Sequence, residues 1–112
     1  MALSGSAPLS VQTLRDFEAR FGLTILEGYG LTETAPVSNV CLPGEFRPGS
    51  VGRPVPELDQ RIIDIESGEE LPHGRDGEVR MAGPNIMRGY FKRPAETAAA
   101  FVVLSVFDSK LF

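Results

Sequence analysis

The amino-acid sequence predicts a mixed α/β fold, in which a helix and a buried strand are followed by a small antiparallel β unit. Apolar residues recur at helical spacing near the amino terminus, and two short strand-like segments later in the chain flank a turn region rich in glycine and proline. The 112 residues are 42% hydrophobic and 23% charged. This composition is typical of a globular domain and disfavours a disordered chain.

The first element is a helix predicted over residues 10–21. Ser10 is a suitable N-cap, and Gly22 is a suitable stop. Four apolar residues share one face of this segment: Val11, Leu14, Phe17 and Phe21. Residues 23–26 then predict a buried strand, which is expected to join a parallel sheet. Gly28 and Gly30 are expected to break this strand around Tyr29.

A long irregular stretch over residues 31–57 follows, with five prolines and three glycines. A loop of this length inside a compact domain is usually functional. Residues 61–65 and 78–81 predict the two strands of the antiparallel unit, and Pro94 suits the first turn of a short helix ending at residue 101. Composition changes near Arg47, which divides the chain into an α/β part (1–46), a β-rich part (47–101) and a tail (102–112).

Charge and residue counts exclude several functional classes. The net charge is −4 and no basic stripe is present, so nucleic acid is not an expected partner. Cys41 and His73 are the only residues of their kinds, which excludes a Cys/His metal cluster. No apolar run has the length of a transmembrane helix and no signal peptide opens the chain, so we expect a reducing, cytoplasmic setting.

The segment Gly28-Tyr29-Gly30-Leu31-Thr32-Glu33 lacks the third glycine of a dinucleotide fingerprint, and the chain has no P-loop. An aromatic ring between two glycines could stack on a base, because the glycines let a ligand approach the backbone. Thr32 offers a hydroxyl to a phosphate and Glu33 a carboxylate to Mg²⁺. Alternatively, Tyr29 is a strand-end residue and the next polar residues form an exposed turn. From the residues alone, this structural interpretation is favoured.

A resemblance reverses that balance. Residues 28–34, Gly-Tyr-Gly-Leu-Thr-Glu-Thr, resemble the signature of the adenylate-forming superfamily, which includes acyl-CoA synthetases, luciferases and peptide-synthetase adenylation domains. Three further segments resemble that superfamily in the same order: residues 4–10, residues 49–54, and residues 77–84 followed by 87–90. Leu31 and residues 84–87 look more like a fatty or medium-chain acyl-CoA ligase, since peptide-synthetase domains usually carry proline at the position of Leu31.

The resemblance implies a fragment of the large N-terminal domain of an acyl-adenylate-forming ligase. Such an enzyme uses ATP, Mg²⁺ and CoA to convert a carboxylic acid to acyl-adenylate, with AMP bound, and then to acyl-CoA. By resemblance, Tyr29 stacks on adenine, Thr32 contacts the α-phosphate and Glu33 binds Mg²⁺; Thr32 and Glu33 are the candidate catalytic residues. The other candidate nucleotide-binding residues are small and flank the adenine or the substrate carboxylate: Gly5, Ser6, Ala7, Gly28 and Gly30.

The sequence also departs from that superfamily. It contains no phosphate loop ending in Lys-Gly, no Trp-x-x-Thr-Gly-Asp segment after the short helix, and no domain with the catalytic lysine. Residues 1–3 are interpreted as an added start and residues 102–107 as an adhesive strand. The isolated chain is therefore expected to be inactive and to self-associate through exposed apolar faces. The alternative function is a non-catalytic nucleotide-binding or interaction module derived from the same superfamily.

Overall fold

A computed structural model describes residues 2–45 and 47–101, and shows the predicted mixed α/β fold. Within these residues there are two helices, α1 (Val11–Phe21) and α2 (Pro94–Ala100), and a 3₁₀ turn at Thr32–Thr34. The strands, in chain order, are β1 (Ala2–Ser4), β2 (Ile25–Tyr29), β3 (Asn39–Val40), β4 (Arg53–Pro54), β5 (Asp59–Ile63) and β6 (Glu78–Ala82).

Helix α1 begins and ends as predicted. The Ser10 side chain accepts a hydrogen bond from the backbone N–H of Thr13 at 3.1 Å, which satisfies one of the free donors at the helix start. Gly22 adopts the left-handed conformation (φ 63°), and its N–H donates to the Glu18 carbonyl at 2.8 Å. Of the predicted apolar face only Leu14 is buried; Phe17 is half-buried, and Val11 and Phe21 are exposed.

Strands β1 to β4 form one sheet in that order. β1 and β2 are parallel, with Ala2 opposite Ile25, and α1 makes the crossover between them. This pairing confirms the expected parallel-sheet strand. Ala2 and Leu3, interpreted from the sequence as part of an added start, lie in β1 and pair with Ile25 and Leu26 of β2; the interpretation itself stays a prediction. β2 to β4 are antiparallel.

The boundaries of β2 were predicted two to three residues too early. Gly28 and Gly30 were expected to break the strand around Tyr29, yet Gly28 and Tyr29 pair with Val40 and Asn39 of β3. Cross-strand pairing therefore overrides the weak strand propensity of glycine. The stretch predicted as irregular contains β3 and β4, which are only two residues long and carry no period that a sequence could reveal.

The antiparallel unit is confirmed as β5 and β6, paired from Asp59 opposite Ala82 to Ile63 opposite Glu78. The strand was predicted to reach residue 65, but β5 ends at Ile63. It ends there because Asp64 begins a turn and its side chain accepts hydrogen bonds from the backbone N–H groups of Glu66 and Ser67. Helix α2 starts at Pro94, as predicted for a proline in the first turn.

The buried apolar side chains come from both sheets and α1: Leu14, Ile25, Leu26, Cys41, Leu58 and Ile63. The four-stranded sheet continues to Pro54, since β4 pairs with β3. The subdomain boundary near Arg47 therefore stays a prediction, and the pairing of the sheet runs across it.

Candidate functional site

A cleft of about 450 Å³ opens at the carboxyl ends of the parallel strands β1 and β2. This edge of a parallel sheet is where α/β proteins usually bind ligands. The lining comes from the β1 end, the β2 end with the following turn, and β3 with its approach: Leu3, Ser4, Gly5, Ser6, Glu27, Gly28, Tyr29, Gly30, Leu31, Thr32, Pro36, Val37, Val40 and Cys41.

The cleft gathers most of the sequence-predicted site residues. Six line it together: Gly5, Ser6, Gly28, Tyr29, Gly30 and Thr32. Ala7 and Glu33 are not part of its lining. Tyr29 and Thr32 are both exposed, so a ligand in the cleft has access to the phenol ring and to the hydroxyl. Ser6 lies at φ 72°, a strained conformation for a residue with a side chain and one that is frequent at functional sites.

Gly28 and Gly30 face backbone rather than open space. A Cβ on Gly30 would lie 1.8 Å from the carbonyl oxygen of Pro36, and one on Gly28 would lie 3.2 Å from the carbonyl oxygen of Asn39. Gly30 is therefore required by the close approach of the chain after the turn, whether or not a ligand binds.

The turn that presents Thr32 is closed by Thr34, which is buried. The Thr34 hydroxyl accepts a hydrogen bond from the Leu31 N–H at 3.0 Å and lies 2.9 Å from the Leu31 carbonyl, to which it donates. Ser38 holds the strand end, because its N–H and its hydroxyl both donate to the Tyr29 carbonyl, at 2.9 and 3.1 Å. These contacts fix the backbone on both sides of the motif.

Glu33 is held by a distant part of the chain. The phenol of Tyr90 donates to Oε1 of Glu33 at 2.6 Å, and the N–H of Met87 donates to the Glu33 carbonyl at 2.8 Å. The Tyr90 hydrogen bond, with a smaller effect from the backbone N–H of Glu33, lowers the pKa of the Glu33 carboxyl. The same contact raises the pKa of the Tyr90 phenol, so carboxylate and neutral phenol are the favoured forms.

Asn85 makes a second connection to the turn at residues 31–34, which we call the motif turn. Its Nδ2 donates to the Thr34 carbonyl at 2.9 Å and to the Val37 carbonyl at 3.2 Å. Sequence reasoning identified residues 77–84 and 87–90 as a resembling segment but gave Asn85 and Tyr90 no role at the site. Nothing local to either residue reveals the contact, since the partners lie 48 to 57 residues away.

Glu27 is a further residue that the sequence reasoning missed. It lies on β2, lines the cleft and is only 7% exposed. Its Oε1 accepts the Leu9 N–H at 3.3 Å, while Oε2 is buried with no hydrogen-bond partner in the part of the chain that the structure describes. A buried carboxylate oxygen without a donor is energetically costly.

Glu33 is the candidate metal ligand. Across residues 2–45 and 47–101, no cluster of three or more His, Cys, Asp or Glu side chains could hold a metal ion. A single carboxylate nevertheless fits Mg²⁺, which retains several waters and is usually bound by one or two carboxylates together with substrate phosphates. The donor chemistry of Glu33 is therefore suited to a cation that arrives with a nucleotide.

Neither described helix has the length and apolar character needed to cross a membrane.

Comparison with known proteins matches residues 1–91 to the sequence model of the AMP-binding enzyme family. The chain is 43% identical over 98 residues to the long-chain-fatty-acid–CoA ligase of Bacillus subtilis (strain 168), covering 87% of this chain and 18% of that protein. Crystal structures of MatB from Rhodopseudomonas palustris superpose with TM-scores of 0.86 (apo, 38% identity) and 0.84 (ATP-bound, 39% identity), covering 92% and 90% of this chain and 20% of each of theirs. The chain thus spans about a fifth of the length of these relatives, and it belongs to the AMP-binding enzyme family.

Proposed function

We propose that the chain is part of an ATP-dependent carboxylic acid–CoA ligase that forms an acyl-adenylate and then an acyl-CoA. The observation that carries this proposal is the cleft at the ends of β1 and β2, which brings Gly5, Ser6, Tyr29 and Thr32 together. An aromatic ring at the end of β2 and a hydroxyl three residues later, in the following turn, suit a nucleotide's base and its α-phosphate.

The proposed reaction has two displacements. A carboxylate oxygen of the acid attacks the α-phosphorus of ATP, and the bond to pyrophosphate breaks. The CoA thiol, losing its proton, then attacks the acyl carbon and AMP leaves. Thr32 would donate a hydrogen bond to the α-phosphate as charge builds on it, and Tyr29 would hold the adenine by stacking. Mg²⁺ would neutralise charge on the phosphate oxygens, with Glu33 as its protein ligand.

We assign the substrate to the fatty or medium-chain carboxylic acids. The Bacillus subtilis relative named as a long-chain-fatty-acid–CoA ligase supports this class, as does the Leu31 form of the motif. The proposed partners are this acid, ATP and CoA, and the proposed setting is the cytoplasm.

The 112-residue chain by itself is proposed to be inactive. These 112 residues contain no Lys-Gly phosphate loop and no Thr-Gly-Asp segment. Catalytic groups that act as a unit lose most of their effect when one is absent. Stacking on Tyr29 without phosphate and ribose contacts should give a dissociation constant on the order of millimolar or weaker.

A segment exchange tests the proposal. The segment of the Bacillus subtilis ligase that aligns with this chain is replaced by the corresponding residues of this chain, and pyrophosphate release is measured with ATP, Mg²⁺ and fatty acids of several chain lengths. We expect acid-dependent turnover that Glu33→Gln strongly reduces while the melting temperature of the chimera is retained. A chimera that unfolds cooperatively but binds ATP without turnover would support the alternative of a non-catalytic module. The 112-residue chain is assayed in parallel, and turnover there above a Glu33→Gln control would contradict the proposed inactivity.

A further inference from the structure

The residues from Asn85 to Tyr90 contact the motif turn at three points. Asn85 Nδ2 donates to the carbonyls of Thr34, in the turn, and of Val37, just after it. The Met87 N–H donates to the Glu33 carbonyl, and the Tyr90 phenol donates to Glu33 Oε1. The first two contacts hold the turn backbone. Of these three contacts, that of the Tyr90 phenol is the one that reaches the carboxylate, at 2.6 Å, a length typical of a strong hydrogen bond between a hydroxyl and a charged oxygen.

Tyr90 is itself held in place by α2. Its backbone N–H donates to Oγ1 of Thr97 at 2.9 Å, and the Thr97 hydroxyl donates to the Arg93 carbonyl at 2.7 Å. Gly89 brings the chain close enough for this contact. It lies at φ 144°, and a Cβ there would be 2.7 Å from Cγ2 of Thr97. The phenol therefore approaches Glu33 from a backbone that is fixed on its own side.

We propose that Tyr90 is a positioning residue for Glu33, which orients the carboxylate so that Oε2 is presented to the nucleotide-bound cation. This proposal rests on the proposed function, in which Glu33 is the Mg²⁺ ligand. A glutamate side chain has several rotatable bonds, and fixing it costs conformational entropy each time a cation binds. A donor that occupies Oε1 removes that freedom in advance. It leaves one oxygen for the single-oxygen coordination that suits the strict octahedral geometry of Mg²⁺.

The first test uses the 112-residue chain and Mn²⁺ alone, without nucleotide. Paramagnetic broadening of the carboxyl-adjacent NMR signals is followed at Glu33, with Asp64 as the internal reference. We expect Tyr90→Phe to raise the Mn²⁺ concentration that half-broadens Glu33 about three- to tenfold, which is the loss expected for one hydrogen bond. The value for Asp64 should not change. Phe91→Leu, at the exposed neighbouring residue, is the matched control and should leave both values unchanged.

The second test measures the Mg²⁺ requirement in the chimera described above. Tyr90→Phe should raise the Mg²⁺ concentration for half-maximal rate by a similar factor. The rate at saturating Mg²⁺ should change by a smaller factor. In a Glu33→Gln background, the same substitution should have no further effect on Mn²⁺ broadening or on the residual rate, because Tyr90 acts through the carboxylate.

The outcomes separate the two proposals. If Glu33→Gln changes neither the Mn²⁺ broadening nor the Mg²⁺ requirement, Glu33 is not the cation ligand and the proposed function loses its metal site. If Glu33→Gln has its expected effects but Tyr90→Phe leaves both half-points unchanged, or lowers them, Tyr90 does not position Glu33 and only the further inference is overturned. A Tyr90→Phe effect of equal size in the Glu33→Gln background would likewise overturn it, because the tyrosine would then be acting on the fold.

Discussion

The side-chain amides of Asn39 and Gln60 hydrogen-bond each other in both directions, at 2.8 Å from Asn39 Nδ2 to Gln60 Oε1 and at 3.2 Å from Gln60 Nε2 to Asn39 Oδ1. Asn39 lies on β3 and Gln60 on β5, so the pair joins the four-stranded sheet to the antiparallel unit. Asn39 is buried, so water cannot readily replace the hydrogen bonds that its side-chain amide makes to Gln60.

Replacing both members of this pair should cost less than the sum of the two single replacements. Asn39→Ala leaves the Gln60 amide without its partner, and we expect the free energy of unfolding to fall by about 1–3 kcal/mol. The double substitution with Gln60→Ala should cost less than the sum of the two single changes, by about 0.5 kcal/mol or more. Urea unfolding of the four proteins measures the coupling, and strict additivity would show that the amides do not stabilise each other.

Gly52 should tolerate a methyl group far less well than Gly49. Both lie at positive φ, 84° and 79°, so the backbone strain of a substitution is similar. A Cβ on Gly52 would lie 2.0 Å from the Val40 carbonyl oxygen, whereas one on Gly49 meets no atom within 4 Å. We expect Gly52→Ala to reduce the free energy of unfolding by about 1–3 kcal/mol more than Gly49→Ala does. Equal losses in thermal unfolding would mean that β3 and the Gly52 segment separate readily.

In the chimera, Tyr29→Ala should raise the KM for ATP about tenfold, because a stacking surface for adenine is lost. Tyr29→Phe is the matched control. It keeps the ring, and no hydrogen bond of the Tyr29 hydroxyl is part of the proposed contact, so the KM should change little. If Tyr29→Ala leaves the ATP dependence unchanged, the adenine assignment is wrong.

Asp64 should make stability depend on acid pH. Hydrogen bonds from the backbone and the hydroxyl of Ser67, and from the backbone of Glu66, lower the pKa of its carboxyl. Because the pKa is lowered in the folded protein, the Asp64 carboxylate contributes its full stabilisation above the ordinary aspartate pKa of about 3.9. This stabilisation is lost as pH falls through the lower pKa of the folded protein. Between about pH 5 and about pH 2, the melting temperature of the Asp64→Asn protein should therefore fall less than that of the unsubstituted protein. Parallel pH profiles of the two proteins would contradict this.

The 112-residue chain should self-associate. Three large apolar side chains are strongly exposed: Leu3 (75%), Ile65 (74%) and Phe91 (87%). Apolar surface of this kind usually finds a partner. Multi-angle light scattering at increasing concentration should show a rising mass, and a constant monomer mass would count against association. Deletion of residues 102–112, which lie outside the described residues, is predicted to raise solubility, and unchanged solubility would rule out the adhesive-strand interpretation.

Features set by neighbouring residues could be predicted from the sequence. Helix α1 was placed correctly because its cap, its stop and its apolar spacing are all local. Tyr29 and Thr32 lie three residues apart in one motif, so their nearness also follows from the local sequence.

Features that depend on distant pairing could not be predicted. The extension of β2 through Gly28 and Tyr29 is due to β3, and the need for glycine at position 30 is due to the Pro36 carbonyl. The Tyr90–Glu33 contact has no local signature, because exposed tyrosines near a turn are common and the partner is remote in sequence. Glu27 was missed for a related reason: its burial depends on how the β1–α1 loop packs over it.

Glu33 and Tyr90 are 57 positions apart, so a ribosome adds Glu33 to the chain well before Tyr90. A ribosome adds about 5–20 residues per second, so Tyr90 is joined to the chain about 3–11 s after Glu33. During that interval the nascent chain already carries the whole Gly-Tyr-Gly motif but lacks the residues that hold its turn from the other side. Contacts between such distant residues also close slowly in a complete chain, because the loop entropy is lost before the contact energy is gained. The motif should therefore be among the last regions of this chain to become protected from hydrogen exchange during synthesis or refolding.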